Sequence, residues 1–166
     1  MKRLPLSTHF ADPDALRIAI VLSRTNDFLT EKLCEGALSE LRAFGVTGTV
    51  VMEVAGAFEI VAASAHAFAC GYDGVVAIGV VIRGQTPHFE YISGAVTDGL
   101  TRLASEGKAV TFGILTVDNV QQASDRSGGP LGNKGAEAAA ALLQLLSAFE
   151  KLPRQGRNMQ GKPDAA

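Results

Sequence analysis

The chain has 166 residues, which is about one domain on the usual length prior and enough to bury roughly two thirds of its unfolded surface. Its 15 Lys plus Arg against 17 Asp plus Glu give a net charge of -2, which provides no general attraction to a polyanion and argues against nucleic acid as the main partner. The longest apolar run, at 74–82, has nine residues. A spanning helix needs roughly 20, so no membrane segment is expected.

The cysteines and the N-terminus indicate a reducing compartment. Cys34 and Cys70 are 36 positions apart and form no C-x-x-C pair, so neither a zinc site nor a redox motif is predicted. We interpret both as buried thiols. Residues 1–15 begin with two basic residues but lack the apolar stretch of a signal peptide, which favours a cytoplasmic location.

Four segments rich in β-branched residues are predicted as strands. Their apolar runs are mostly continuous rather than alternating, as expected of parallel strands that are covered on both faces. In chain order they are 17–23, 47–54, 74–82 and 109–117.

Helical periodicity fills each gap between the strands. For the first helix Asn26 or Asp27 is a candidate cap, and for the third Thr86 is predicted at the N-cap with Pro87 at the first helical position. A glycine-rich turn at 127–133 precedes the last helix. The predicted helices run from about 27 to 44, 58 to 70, 87 to 106, 119 to 126 and from the turn to about 151.

This alternation predicts an α/β fold: a three-layer flavodoxin-like domain with a four-stranded, mainly parallel sheet and helices on both faces. The domain is expected to cover 16–150, between an N-terminal arm at 1–15 and a loose, polar tail at 151–166. The last helix is apolar around most of its circumference, which is more than one sheet face can cover. We therefore expect another subunit to cover the rest.

The residues that follow the strands are candidates for a binding site, because ligands of open parallel sheets bind at the carboxyl ends of the strands. The richest set follows the third strand. Gly84, Gln85 and Thr86 form a turn that leads into a helix N-terminus, which favours an anion such as phosphate. His88 falls in the first turn of that helix, and histidine is the side chain best suited to proton transfer around neutrality.

Each of these features also has a purely structural interpretation. The turn at 84–87 is also an ordinary strand-to-helix connection, and a lone His88 is also typical of a solvated helix end. Arg83 is expected to pair with a carboxylate such as Glu90 under that interpretation, and the segment 56–59 is then only a turn that enters a helix. The sequence around Lys134 lacks the G-x-x-x-x-G-K-[ST] spacing, which argues against a nucleotide-binding loop there.

Taken together, the segments resemble the 6,7-dimethyl-8-ribityllumazine synthase family, which makes the precursor of riboflavin. The resemblance covers about residues 16–150 and is carried by four motifs in order. They are GAFEI at 56–60, GVVIRGQTPHFEYI at 79–92, FGILTVDNVQQASDR at 112–126 and GNKGAEAA at 132–139.

The resemblance implies condensation of 5-amino-6-(D-ribitylamino)uracil with 3,4-dihydroxy-2-butanone 4-phosphate, without a metal or organic cofactor. It implies that His88 is the proton shuttle. The residues implied for the aminouracil are Thr25, Ala57, Phe58, Glu59, Val80, Val81, Ile82 and Phe112. Those implied for the phosphate are Gln85, Thr86, Arg126 and Lys134. In the family Phe112, Arg126 and Lys134 reach across from a neighbouring subunit.

The family's unit is a cyclic pentamer, and the short connection from Arg126 to Lys134 raises the hypothesis of a closed icosahedral shell of pentamers. Whether such a shell encloses a riboflavin synthase is left open by the sequence. Two positions depart from the family pattern. Thr25 stands where an aromatic residue usually stacks on the pyrimidine, and Ala55 replaces the usual proline before the GAFEI motif.

Two other interpretations compete with an enzyme. Because of Thr25, the chain is also consistent with a lumazine-binding or flavin-binding paralogue, or a shell-forming one, with weak or no turnover. From the residues alone, it is also consistent with an unrelated flavodoxin-like domain that binds a phosphate ligand.

Overall fold

A four-stranded parallel sheet forms the middle of the fold. The computed structural model describes residue 3 and residues 5–152. The strands are β1 (Arg17–Ser23), β2 (Gly48–Val54), β3 (Gly74–Ile82) and β4 (Ala109–Val117), in the order β2-β1-β3-β4. Every neighbouring pair is parallel. The predicted three-layer α/β architecture is therefore confirmed, and three of the four strands have the predicted bounds.

Five helices connect and cover the strands. They are α1 (Asp27–Ala43), α2 (Ile60–Ala69), α3 (His88–Ser105), α4 (Val120–Arg126) and α5 (Lys134–Lys151). A short 3-10 turn (Pro13–Ala15) precedes β1. None of the described helices is both long enough and apolar enough to cross a membrane.

Two hydrophobic cores lie on opposite faces of the sheet. On one face Ile20 of β1 packs in a cluster with side chains of α1, α4 and α5, such as Leu33 and Leu142. On the other face Val21 packs in a cluster with side chains of α2 and α3. Successive residues of β1 thus serve different cores, which explains why the strand is apolar without alternation.

Several predicted details are wrong at the ends of the elements. Pro87 occupies the N-cap of α3 rather than the first helical position, and no side-chain hydrogen bond caps that helix, so Thr86 does not serve as its cap. Asn26 does occupy the predicted N-cap position of α1, but in a left-handed conformation with φ 61° and without a side-chain capping bond, because its side chain bonds to the end of β3. The glycine-rich turn forms a small antiparallel hairpin of β5 (Ser127–Gly129) and β6 (Gly132–Asn133).

The two cysteines differ, contrary to the prediction that both are buried. Cys34 of α1 is buried, whereas Cys70, directly after α2, is exposed. Burial, assisted by the neighbouring carboxylates of Glu31, Glu35 and Glu53, raises the pKa of the Cys34 thiol to about 11. The position after the last helical residue explains the exposure of Cys70, since that turn ends at the surface.

The N-terminal arm packs against the last helix. In the N-terminal arm Phe10 is buried in the core beneath α5, and the Oγ of Ser147 donates to the carbonyl of His9 at 3.3 Å.

Helix α5 packs on α1 and on β4, and it leaves Phe149 exposed. The expectation that another subunit covers this helix stays a prediction. The loose tail predicted from 151 onward falls largely on residues 153–166, which lie outside the described residues.

Candidate active site

The carboxyl ends of β1, β2 and β3 surround a cavity of about 450 Å³. Eight of the residues expected in the site line it: Thr25, Ala57, Phe58, Glu59, Val80, Val81, Ile82 and His88. They come from the ends of three strands and from the first residue of α3. Three further residues, Asn26, Gly56 and Ile92, complete the lining.

Two side-chain bonds tie the strand ends together on one side of this cavity. Thr25 donates from its Oγ1 to the carbonyl of Ala55 at 3.1 Å, which links the end of β1 to the end of β2. Asn26 donates from its Nδ2 to the carbonyl of Val80 at 2.9 Å, which links β1 to β3. The left-handed backbone of Asn26 places its amide for this bond, and asparagine tolerates that region better than most residues.

The GAFE segment forms a compact turn at the end of β2. The backbone N–H of Gly56 donates to Oε2 of Glu59 at 2.9 Å. Ala57 is buried, whereas Phe58 is 58% exposed. The turn therefore presents an aromatic ring and a carboxylate at the cavity while its small residue packs inward.

The last residues of β3 offer main-chain groups to the cavity. Pairing of β3 with β1 ends at Ile78, opposite Leu22, whereas pairing with β4 continues to Ile82. The β1-facing edge of residues 80–82 therefore has no strand partner in the described part of the chain. Val80 accepts one bond there, from Asn26, and the remaining main-chain polar groups on that edge are available to a ligand.

His88 lies in the wall of the same cavity, whereas the loop before it does not. His88 is the first residue of α3 and lines the cavity together with Ile92, one helical turn further on. Gln85 and Thr86 lie in the exposed loop between β3 and α3 and line neither this cavity nor the next one described. The structure thus brings His88, but not these two side chains, into the cavity wall.

A second cavity, of about 670 Å³, runs along the free edge of β4 against α4 and α5. It holds the three remaining candidates: Phe112, Arg126 and Lys134. Phe112 is 44% exposed. Lys134 pairs with Glu137 at 2.7 Å. Within one chain these three residues and His88 therefore line separate cavities, and their expected meeting across a subunit boundary remains a prediction.

Arg126 differs from the other cations near these cavities. Its Nη1 donates to the carbonyl of Gln122 at 2.9 Å, one helical turn back. Within residues 5–152 no carboxylate pairs with it, although Arg24, Arg83 and Lys134 each have an acidic partner. Its positive charge is therefore available to an anion.

Comparison with known families shows to which family the chain belongs. The family model for 6,7-dimethyl-8-ribityllumazine synthase matches residues 15–150. The chain belongs to the 6,7-dimethyl-8-ribityllumazine synthase family. The match covers the whole sheet and all five helices except the last residue of α5. Membership places the chain among enzymes of riboflavin biosynthesis that act as transferases, and it sets aside an unrelated flavodoxin-like domain.

Sequence reasoning missed three residues of this lumazine synthase cavity. The sequence predicts Asn26 or Asp27 as the cap of α1, because Asn and Asp before a helix are typical of an N-cap. Its bond to Val80 joins residues 54 positions apart, which no local pattern reveals. Gly56 and Ile92 had weak signals, since one begins the GAFE motif and the other is four residues after His88.

The interpretation of Arg83 as a residue that pairs with a carboxylate such as Glu90 is confirmed. Its guanidinium pairs with Glu90 and with Asp118, the latter at 3.0 Å between Nε and Oδ1. The hydrogen bond from Arg83 holds the pKa of Glu90 below its usual range, and Glu90 and Asp118 in turn raise the pKa of Arg83. In this lumazine synthase family member Arg83 is thus a paired cation beside the loop at 84–87.

Proposed function

We propose that this protein condenses 5-amino-6-(D-ribitylamino)uracil with 3,4-dihydroxy-2-butanone 4-phosphate to give 6,7-dimethyl-8-ribityllumazine, phosphate and water. The observation that carries the proposal is the cavity at the three strand ends, which combines His88, the GAFE turn and the free main-chain edge of β3. Family membership supplies the reaction. The site is proposed to work in the cytoplasm and to need no metal or organic cofactor.

The aminouracil is proposed to bind in this cavity. Main-chain groups of residues 80–82 are suited to the donor and acceptor edge of a pyrimidine, because the sheet leaves them unpaired on the cavity side. Phe58 and Glu59 at the rim offer an apolar surface and a carboxylate to the ribityl chain and its hydroxyls. Thr25 faces the ring where an aromatic residue is usual.

His88 is proposed to transfer the protons. The amine of the uracil attacks the ketone, the carbinolamine loses water, and phosphate leaves by elimination. The enol tautomerises to a carbonyl, which the ribitylamino nitrogen attacks to close the ring with loss of a second water. Each step moves a proton, and a histidine can both accept and donate one near neutrality. His88→Ala is expected to lower kcat by about 10²–10⁴-fold, measured as lumazine formation.

The phosphate is proposed to bind at the N-terminus of α3. The N–H groups and dipole of this 18-residue helix favour an anion. Gln85 and Thr86 are proposed as ligands beside it, with Arg126 and Lys134 of a neighbouring subunit supplying positive charge. A guanidinium without a carboxylate partner is suited to orient the phosphate and to stabilise it as it leaves.

Sites shared between subunits require an oligomer, which we propose to be a cyclic pentamer. A shell of pentamers is a further hypothesis, and light scattering that finds only the mass of a pentamer would reject it.

The decisive experiment supplies both substrates and follows the lumazine spectroscopically. Arg126→Ala is expected to abolish use of the butanone phosphate while the fold, followed by circular dichroism, is retained. Arg102→Gln, which removes an exposed arginine from the far end of α3, is the matched control and is expected to be active. An intact wild-type protein that forms no lumazine would refute the proposal.

A further inference from the structure

Arg83, the first residue after β3, connects both ends of the exposed loop at 84–87 to the fold. Its backbone N–H donates to the carbonyl of Val117 at 2.9 Å, which continues the ladder between β3 and β4. Its Nε donates to Oδ1 of Asp118 at 3.0 Å, just beyond β4. Its Nη1 donates to Oε1 of Glu90, in the first turn of α3. One side chain therefore links the strand end before the loop to the helix after it.

The same guanidinium is unsuited to bind the phosphate itself. It lies over the ring of Phe89, 4.1 Å from the centroid, and two carboxylates share its charge. Together the three charged groups carry a net charge of about -1, which repels an anion rather than attracting it. Arg83 and Arg126 thus differ: two carboxylates neutralise the first, whereas no carboxylate among the described residues pairs with the second.

The loop that Arg83 spans has few contacts of its own. A Cβ placed on Gly84 would meet no atom within 4 Å, and Gln85 and Thr86 are exposed. Within residues 5–152 no hydrogen bond uses the backbone N–H of residues 84–86. A loop with free polar groups and open space around it depends on its two ends for its shape.

We infer that Arg83 is a positioning residue that holds the loop at 84–87 in the conformation that receives the phosphate group of the second substrate, without contacting that phosphate. The inference rests on the proposed function for the identity of the substrate. Its physical reason is preorganisation: a loop already held in the binding conformation loses less entropy when the phosphate binds.

Steady-state kinetics with each substrate varied in turn test this role. Arg83→Gln is expected to raise the KM for the butanone phosphate by about tenfold, because the loop must be ordered on binding. The KM for the aminouracil is expected to change by less than about twofold, since that cavity is built from other elements. Arg83→Lys keeps the charge without the planar fork, so it is expected to restore only part of the loss. Arg102→Gln is the control and should match the wild type.

Glu90→Gln provides a second variant should Arg83→Gln not fold. It removes the helix-side carboxylate and retains the bond from Arg83 to Asp118. The same selective increase in KM, of smaller size, is expected. Equal increases for both substrates, or an unchanged KM for the butanone phosphate, would overturn the inference.

Amide hydrogen exchange gives a readout that does not depend on turnover. Inorganic phosphate is expected to slow exchange at residues 84–86 in the wild type and in Arg102→Gln, because the N–H groups there have no hydrogen-bond partner within residues 5–152 until phosphate binds. Arg83→Gln is expected to need more phosphate for the same protection. An equal phosphate requirement in Arg83→Gln and the wild type, or no protection of the wild type by phosphate, contradicts the positioning role. A wild-type protein that is protected by phosphate but forms no lumazine contradicts the proposed reaction instead.

Discussion

Thr25 is the cavity residue at which the resemblance leads us to expect an aromatic side chain instead. Its hydroxyl bonds to the carbonyl of Ala55 and thereby joins two strand ends, but it offers no aromatic surface to a pyrimidine. An aromatic pair contributes roughly 0.5–1.5 kcal/mol, which is up to about tenfold in affinity. The residue therefore affects the strength of binding rather than the proton transfers.

Thr25→Trp tests this expectation. The KM for the aminouracil is predicted to fall by up to about tenfold, because the indole stacks on the ring. Thr25→Val is the matched control: it removes the hydroxyl without adding an aromatic surface and should leave that KM nearly unchanged. Kinetics at saturating butanone phosphate provide the measurement. An unchanged KM for the aminouracil in Thr25→Trp would show that the lack of an aromatic ring at position 25 does not weaken binding.

Cys34 is predicted to be unreactive in the folded protein. It is only 3% exposed, and burial raises its pKa from 9.0 to about 11, which lowers the thiolate fraction about a hundredfold at neutral pH. A thiol reagent added to Cys70→Ser should therefore titrate Cys34 only after denaturation. Rapid reaction of the native variant would contradict this.

The same pKa shift gives a pH dependence with a definite sign. The Cys34 thiol ionises more readily in the unfolded chain than in the folded protein. The protonated thiol therefore makes its full contribution to the free energy of unfolding below pH 9. That contribution is lost as the pH rises from about 9 towards 11.

At the scale of elements, Asn133 joins α5 to α1. Its Oδ1 accepts from the backbone N–H groups of Gly135 and Ala136, at 2.9 and 3.1 Å, which caps α5. Its Nδ2 donates to the carbonyl of Lys32 at 2.7 Å. At the same crossing only glycine fits at position 135, because a Cβ there would lie 2.0 Å from the carbonyl oxygen of Leu33. Half of the GNKG motif is thus explained by helix packing.

Asn133→Ala is predicted to lower the free energy of unfolding by about 1–2 kcal/mol, since it removes a helix cap. Asn133→Asp is the matched variant: it keeps the capping oxygens and loses only the bond to Lys32, so a smaller loss is expected. Urea denaturation of the three proteins measures both effects. Equal losses of unfolding free energy in the two variants would show that Asn133 stabilises the fold through its bond to α1 rather than through the cap.

The strands were predictable because burial on both faces leaves a continuous apolar run, and the bounds of β1, β3 and β4 follow from it. The ends of the helices were less predictable. Pro87 lies one position before α3 rather than at its first residue, a difference within the usual uncertainty of helix ends. Asn26 makes no side-chain capping bond, because its amide donates to the carbonyl of Val80, which is far away in sequence. Tertiary contacts of this kind have no local sequence pattern.

At the scale of the whole molecule, the chain has two cavities that each hold part of one predicted site. Thr25, the segment 57–59 and His88 could be grouped from sequence, because they follow strand ends that meet at one sheet edge. The last residues of β3, at 80–82, were implied only by the resemblance. Phe112, Arg126 and Lys134 line the free edge of β4 instead. Their role came only from the resemblance, since the position of a neighbouring subunit is not encoded in any local pattern of the sequence.

A mixing experiment tests whether the two cavities of neighbouring subunits form one site. His88→Ala and Arg126→Ala are each expected to be inactive, because every site then lacks either its proton shuttle or its phosphate ligand. When the two chains assemble together at random in a ring, about one quarter of the sites combine an intact His88 with an intact Arg126 from the adjoining subunit. Co-expressed variants should therefore recover about a quarter of wild-type activity, whereas the same proteins purified apart and mixed without dissociation should stay inactive. If each site used both residues of a single chain, every site in the mixed rings would still carry one mutation and no activity would return.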